Sequence, residues 1–326
     1  MASRHKVLSL LEEHKGSFIS GEEIARKLSI TRAAVWRAIG DLRTLGYDIE
    51  SSTRIGYRLS ERSDKLSAEG IRSVLPTSYL ANIIYYDTID STNREAKQLA
   101  LEGAPQGTIV VASQQTAGRG RLGRSFFSPK ESGLYMSIVL RPEMNSSLAL
   151  RITSAAAVAV CRAIERHCDK EAGIKWVNDV FIDGMKVCGI LTEGISGFES
   201  GRIESVVVGI GLNHTIPKAG FPSELSSIAG ALFSDIPPLR SSRNQVAADI
   251  IACFFDLLPF LESSAFLDEY RKRSIVLGKR VLVTHGSESY EAVASGIEED
   301  GSLVVQLPTG ELRILSSGEI SLKKLA

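Results

Sequence analysis

The sequence predicts an α+β protein with three domains, because the pattern of its 326 residues changes twice. Residues 1–64 show short helical patterns and then polar alternation. Residues 65–273 mix apolar, strand-like runs with helices, and residues 274–326 alternate as strands and turns throughout. We therefore predict domain boundaries near residues 65 and 273, with the polar segment 61–67 as a linker.

Composition limits the class of protein. The chain is 44% hydrophobic and 23% charged, which excludes a disordered chain, a collagen and a coiled coil. It has no run of 18 apolar residues and no signal-peptide pattern at its N-terminus, so we expect no contact with a membrane. Its four cysteines have no metal-binding spacing, and we expect reduced thiols in a cytoplasmic protein.

The N-terminal domain is predicted to contain three helices and a two-stranded wing. Ser20 and Thr31 are preferred N-caps for the second and third helices. In the third helix Val35, Ile39 and Leu42 recur at helical spacing and are expected to face inward. The pattern is that of a winged helix-turn-helix.

Basic residues on the outer face of the third helix predict DNA binding. The net charge of the chain is zero, yet residues 26–43 hold five basic residues and one acidic residue. A helix with exposed arginines and small residues at its start fits a major groove. The alternative is a helical interaction module whose charges are only solvated. The residues that we expect to contact DNA are Arg32, Ala33, Trp36, Arg37 and Arg54.

The C-terminal domain is predicted to be a small β-barrel. Residues 280–322 alternate in short segments that are separated by glycine-containing turns. These segments contain no chemistry that we can name, so a structural or domain-docking role is expected.

A hydroxyl-rich cluster opens a helix in the middle domain. Ser91, Thr92 and Asn93 follow a strand-like run at residues 83–87 and precede a helical stretch. Such residues are preferred N-caps, which is the simpler explanation. A helix start with hydroxyls also makes a cradle for a polar ligand, and the two roles can coexist.

A loop rich in glycine and arginine predicts an anion site. Residues 118–124 read GRGRLGR, and a mobile basic surface loop is the alternative. Glycines let backbone amides approach an anion, and arginine forks bind phosphate or carboxylate. The loop matches neither a P-loop nor a dinucleotide-binding fingerprint.

A predicted β-hairpin forms a third cluster, with charged residues at its ends. It runs from Lys175 through Asp179 and a turn at 183–184 to Lys186, which enters an apolar strand. Such a lysine either extends its charge to solvent or meets a ligand anion. In a later strand Gly209 and Gly211 are expected to leave one face open to a ligand, and Asn213 to read a base edge or cap a turn.

Taken in order, these motifs resemble those of the biotin protein ligases. The motifs are Ser91-Thr-Asn93, GRGRLGR at 118–124, KWVND at 175–179, KVCGILTE at 186–193 and GIGLN at 209–213. With the winged helix and the barrel, the whole chain is similar to the bacterial form that combines a ligase with a repressor of the biotin operon. Two positions depart from the family pattern: Val177 stands where proline is frequent, and Phe126 where tryptophan is frequent.

The resemblance implies a fold and a reaction. The middle domain would be a mixed α/β catalytic domain of the biotin/lipoate ligase type, and the barrel would be SH3-like. The chain would join biotin and ATP into biotinoyl-5′-AMP, with Mg²⁺ on the phosphates, and transfer biotin to one lysine of the biotin carboxyl carrier protein. The same adenylate would favour a homodimer that binds operator DNA and represses biotin genes.

The resemblance also implies residue roles. Lys186 and Arg121 would be catalytic, Lys186 between the biotin carboxylate and the α-phosphate, and Asp179 would steer the carrier lysine or hold the loop. The implied biotin contacts are Ser91, Thr92, Asn93, Gln115, Arg119, Gly120, Arg121, Lys186 and Gly189. The implied ATP or adenylate contacts are Arg119, Arg121, Arg124, Phe126, Lys186, Gly209, Gly211 and Asn213.

Two other functions remain open at this point. A lipoate or octanoate transferase would share the central fold, but a fatty-acyl pocket needs neither GRGR nor the Ser/Thr/Gln set. A ligand-sensing transcription factor without catalysis would not need to keep Lys186 and all three loop arginines.

Overall fold

The computed structural model describes residues 2–79, 81–141, 148–196, 203–286 and 288–322. The chain forms two compact units. The N-terminal unit contains Met1–Tyr79 and Ile236–Asp249, and the larger unit contains Leu80–Asp235 and Ile250–Ala326. No helix among the described residues is long and apolar enough to span a bilayer.

The N-terminal unit contains the predicted winged helix-turn-helix. Its elements are α1 (Ala2–Glu13), α2 (Gly21–Leu28), α3 (Arg32–Thr44), β1 (Ile49–Ser52), β2 (Gly56–Leu59) and α4 (Ala68–Val74). The Ser20 and Thr31 hydroxyls accept hydrogen bonds from the amides of Glu23 (3.0 Å) and Ala34 (3.1 Å), which confirms both caps. The predicted apolar residues of α3, Val35, Ile39 and Leu42, are buried in one core with residues of α1. β1 pairs antiparallel with β2 and forms the wing.

The segment predicted to be a linker, residues 61–67, is instead fixed within the N-terminal unit. The Asp64 carboxylate accepts hydrogen bonds from the backbone amide (2.6 Å) and Nε (2.8 Å) of Arg243. The Asn244 side chain accepts from the Ser67 amide and donates to the Lys65 carbonyl. A polar composition did not make this segment a free linker, because its side chains and backbone find buried partners at the start of α7 (Arg243–Leu257).

The larger unit is built on a seven-stranded sheet in the order β3-β4-β5-β9-β8-β7-β6. Its elements are β3 (Asn82–Tyr86), α5 (Thr92–Leu101), β4 (Thr108–Ala112), β5 (Gly133–Leu140), α6 (Leu148–His167), β6 (Gly173–Lys175), β7 (Asp179–Ile182), β8 (Met185–Ser196), β9 (Ile203–Asn213) and α8 (Leu267–Arg273). β3 and β4 pair in parallel, and the other neighbouring strands pair antiparallel. β5 is buried along its full length, and α5 packs on it.

The C-terminal residues form a five-stranded antiparallel sheet in the order β13-β12-β11-β10-β14. Its strands are β10 (Arg280–His285), β11 (Glu288–Ile297), β12 (Leu303–Gln306), β13 (Leu312–Leu315) and β14 (Glu319–Leu322). Four of them were predicted, and the arrangement fits an SH3-like domain. β14 lies within the alternating region 280–322 but was not singled out as a segment, although its sequence Glu-Ile-Ser-Leu alternates polar and apolar residues.

Candidate active site

A cavity of about 460 Å³ lies in the larger unit, a size typical of small-molecule sites. The start of α5, the loop at 114–129, the β7–β8 hairpin, the end of β9 and the start of β14 all line it. It brings together every residue predicted to contact biotin or the adenylate, and Asp179. These are Ser91, Thr92, Asn93, Gln115, Arg119, Gly120, Arg121, Arg124, Phe126, Asp179, Lys186, Gly189, Gly209, Gly211 and Asn213.

The first turn of α5 orients Gln115. Gln115 Oε1 accepts from the Thr92 amide (2.9 Å) and from Thr92 Oγ1 (3.1 Å), and Nε2 donates to Ser128 Oγ (2.9 Å). Ser91 occupies the N-cap position of α5, but its side chain makes no capping hydrogen bond. The first turn of α5 therefore holds the Gln115 side chain in place, while the Ser91 hydroxyl does not cap the helix.

Asn93 and Gly209 have roles that the sequence did not suggest. The Asn93 carboxamide is buried, and it binds Ser137 and Glu193 at 2.6 and 2.8 Å. A Cβ added to Gly209 would lie 2.0 Å from Asn93 Oδ1. The face that Gly209 leaves open thus accommodates Asn93, while Gly209 also lines the cavity, and its contact with a ligand stays a prediction.

The Phe126 ring fills the space beside two other glycines. A Cβ on Gly211 would lie 2.5 Å from the ring, and one on Gly189 would lie 3.2 Å from it. The ring also packs edge-on against Tyr135, with centroids 6.4 Å apart. At the end of β9 Asn213 donates to the Gly230 carbonyl (2.9 Å), so one end of its amide is already engaged in a turn contact.

Most cations of the cavity contact an acceptor of the protein. Lys186 Nζ lies 2.7 Å from Asp179 Oδ1, and Arg124 forms a two-pronged ion pair with Glu319. Arg121 donates instead to neutral acceptors, Asn178 Oδ1 (3.1 Å) and the Gly318 carbonyl (3.0 Å). Burial lowers the pKa of Arg121, although Asp179 and Glu319 act against that shift.

Lys175 is a cation that sequence reasoning missed. It lies half-buried in the cavity wall, and burial lowers the pKa of its ammonium. No carboxylate in the described part of the chain forms an ion pair with it. Its signal was present in the KWVND motif, from which we assigned a role only to Asp179.

The C-terminal sheet also reaches the cavity, a contact compatible with the structural or docking role expected of it. Glu319 and the Gly318 carbonyl hold the side chains of Arg124 and Arg121. No local pattern could signal this contact, because Glu319 is an ordinary acidic residue 195 positions away from Arg124 in the sequence.

The residues predicted to contact DNA lie on the surface of the N-terminal unit. Arg32, Ala33, Trp36 and Arg37 are exposed on α3, and Arg54 is exposed at the tip of the wing. Trp36 is 69% exposed, an unusual state for so large an apolar side chain. The structure thus presents these residues together on α3 and the wing, and their contact with DNA stays a prediction.

Comparison with known proteins identifies the family. The model described as the biotin/lipoate A/B protein ligase family matches residues 85–213, an HTH domain model matches 3–58, and the biotin protein ligase C-terminal domain matches 276–323. The bifunctional ligase/repressor BirA of Bacillus spizizenii is 36% identical, covering 96% of this chain and 97% of that protein. The chain belongs to the bifunctional biotin ligase/repressor family. The BirA of Escherichia coli is 28% identical over 98% of this chain.

A solved structure supports the same assignment. The biotin protein ligase from Aquifex aeolicus in complex with biotin and ATP has a TM-score of 0.62 and 27% identity, covering 75% of this chain and 99% of that one. As a member of the family, the chain is a biotin protein ligase that uses biotin and ATP and carries a helix-turn-helix repressor domain.

Proposed function

We propose that this ligase forms biotinoyl-5′-AMP in the described cavity and passes biotin to a lysine of a biotin carboxyl carrier protein. The observation that carries the proposal is the charge of the cavity wall. Five basic side chains line it against two acidic ones, Asp179 and Glu319. The basic residues are Arg119, Arg121, Arg124, Lys175 and Lys186.

Adenylate formation needs cations more than it needs a base. A biotin carboxylate approaches an α-phosphate, and negative charge increases on the phosphate oxygens in the transition state. Lys186 would lie between these two anions, and Arg121 and Lys175 would supply charge that no carboxylate of the wall now neutralises through an ion pair. Asp179 would hold the Lys186 ammonium in place until the ligand arrives.

Mg²⁺ would reach this site on the triphosphate. Both wall carboxylates are already engaged by cations, Asp179 by Lys186 and Glu319 by Arg124. They therefore do not fit a preformed metal site, whereas the phosphate oxygens of ATP are hard ligands of the kind that Mg²⁺ prefers.

The Gly/Arg loop would close over the adenylate and exclude water from a reactive mixed anhydride. The loop folds back on itself in a tight turn: Gly120 N donates to the Arg124 carbonyl (2.7 Å), and Phe126 N donates to the Gly118 carbonyl (2.9 Å). A Cβ on Gly118 would lie 2.5 Å from the Phe126 carbonyl oxygen, so this turn requires glycine at position 118. We expect ligand binding to stabilise this conformation of the loop.

For the repressor activity, we propose that α3 and the wing bind operator DNA when the adenylate favours a homodimer. Residues 1–64 would form the DNA-binding domain, 65–273 the catalytic domain and 274–326 the C-terminal domain. A cytoplasmic location belongs to the same proposal, and Cys161, Cys168, Cys188 and Cys253 are free thiols.

Isotopic pyrophosphate exchange tests the ligase proposal. We expect exchange that depends on biotin and not on lipoate, followed by labelling of one carrier lysine. Exchange with lipoate alone would assign the chain to the other acyl class.

A gel-shift titration tests the proposed repressor activity. It should show tighter operator binding with biotin plus ATP than with either alone, and equal affinity in all three conditions would refute control by the adenylate.

A further inference from the structure

The exposed face of α3 has an uncharged centre with an arginine on either side. Ala33, Trp36 and Gly40 follow one another at helical spacing, and all three are exposed, on the side of the helix opposite its buried apolar stripe. At 3.6 residues per turn, Arg32 lies at one edge of this face and Arg37 at the other. The positive charge of the face is therefore at its edges, and its centre is apolar.

Gly40 is a glycine that the fold of the N-terminal unit does not require. It lies inside α3 without a positive φ, and a Cβ added there would have no described heavy atom within 4 Å. Glycine is less favourable than alanine inside an exposed helix, because it loses more conformational freedom on folding. A glycine that lowers stability and relieves no contact within the unit indicates that another molecule approaches α3 at this position.

Trp36 and Gly40 together form a recess on this face, which we call the α3 recess. Side chains on a helix lean toward its N-terminus, so a side chain at position 40 would lie over the turn that carries Trp36. Glycine leaves that space empty, and the indole beside it is 69% exposed. The α3 recess therefore has an apolar wall and a floor of helix backbone.

This distribution of charge and apolar surface matches the major groove of DNA. Phosphates line both sides of the groove, where Arg32 and Arg37 would meet them, and base edges form its floor. The apolar group that distinguishes one base edge from the others there is the C5-methyl group of thymine. A methyl group fits the α3 recess, and its contact with the indole would remove apolar surface of both molecules from water.

We propose that Trp36 and Gly40 read the methyl group of a thymine and so contribute to the choice of operator sequence. The proposal rests on the proposed repressor function, in which α3 binds operator DNA. The arginines would supply affinity for any duplex, because phosphate contacts carry no direct sequence information. The α3 recess would add specificity at a base pair in each half-site.

The test uses the full-length chain with biotin and ATP, and its probe is the duplex that the chain selects from a pool of random DNA sequences. Each thymine of that duplex is replaced in turn by uracil, which removes the methyl group and keeps the hydrogen bonds of the base pair. We expect a thymine in each half-site whose replacement weakens binding about fourfold, the size typical of one buried methyl group.

Trp36→Ala should bind the selected duplex more weakly and should no longer distinguish thymine from uracil at that position. The slope of its log affinity against log salt should not change, because no phosphate contact is lost. Leu45→Ala is the matched control. Leu45 is the C-cap of α3 and is 45% exposed, but it lies on another side of the helix from Gly40, so this variant should keep the preference for thymine.

Gly40→Ala separates DNA binding from folding. The alanine should raise the melting temperature by about 2–4 °C, because it favours an exposed helix. Its methyl group would occupy the α3 recess, so the affinity for the selected duplex should fall about tenfold, as for a mismatched base pair. A purely structural role of Gly40 would not lower affinity in a variant of higher stability.

Three outcomes would overturn the reading of thymine by the α3 recess. The first is an unaltered chain that binds thymine and uracil equally at every position. The second is a Trp36→Ala chain that keeps the preference, and the third is a Gly40→Ala chain that binds the selected duplex as tightly as the unaltered chain does. Selection of no preferred duplex is a different result, because it would refute the proposed repressor function itself.

Discussion

Two basic regions of this ligase are built on opposite principles. On α3 the arginines expected to contact DNA, Arg32 and Arg37, are exposed, and neither forms an ion pair with a described carboxylate. In the cavity Arg124 and Arg121 are held by Glu319, Asn178 and Gly318. DNA presents many phosphates, so it can be bound by flexible arginines on an open surface. A single small anion is bound better by cations whose side chains are already oriented.

Of the variants considered, replacement of Lys186 in the cavity should reduce catalysis most. Lys186→Ala should slow biotin-dependent pyrophosphate exchange by roughly 10²–10³-fold, because one such interaction with a developing oxyanion contributes about 3–4 kcal/mol. The melting temperature and DNA binding without ligand should be retained. A folded variant with normal exchange would contradict the role of Lys186.

The matching experiment on α3 should leave catalysis intact. Replacing Arg32 and Arg37 by Ala should weaken operator binding and reduce the slope of log affinity against log salt by about one per lost phosphate contact. Lys27→Ala is the control, because Lys27 lies on α2 and pairs with Glu23 (3.1 Å). An unchanged salt slope in the double variant would place the DNA contact elsewhere.

Lys175 sharpens the account of the cavity charge. Lys175→Met should raise the KM for ATP about tenfold, since it removes a half-buried cation that lacks an ion pair. Because burial lowers the pKa of Lys175, its ammonium loses its proton at lower pH than an ordinary lysine does. The KM for ATP should therefore rise toward alkaline pH in the unaltered enzyme, and this arm of the pH profile should be absent in Lys175→Met. The same arm in both proteins would contradict the assignment.

The smallest effect concerns the contact between the C-terminal sheet and the loop. Glu319→Gln weakens the ion pair with Arg124, and we expect a rise of about two- to fivefold in the KM for ATP, the size typical of an exposed pair. Glu311→Gln is the control, since Glu311 pairs with Arg313 within the same sheet, outside the cavity wall. Equal effects of both variants would show that general destabilisation of the sheet is responsible.

The difference between the two regions also explains what the sequence could predict. Local signals were sufficient for the caps of α2 and α3, the apolar stripe of α3 and the Gly/Arg loop, since each depends on residues a few positions apart. Contacts between residues far apart in the sequence were not predictable. Asp64 and Arg243, which form an ion pair, are separated by 179 positions, and Arg124 and Glu319 by 195 positions. The same limit applies to Gly209, whose open face is filled by Asn93 only once α5 has packed on the sheet.

The central claim is that the charged cavity is where biotin and ATP become an adenylate. A crystal structure of the chain soaked with biotin and ATP tests it most directly. The account predicts continuous density for biotinoyl-5′-AMP, with its phosphate between Lys186 and Arg121 and the loop 118–124 closed over it. Clear density for biotin or ATP at another position, with this cavity still unfilled, would contradict it.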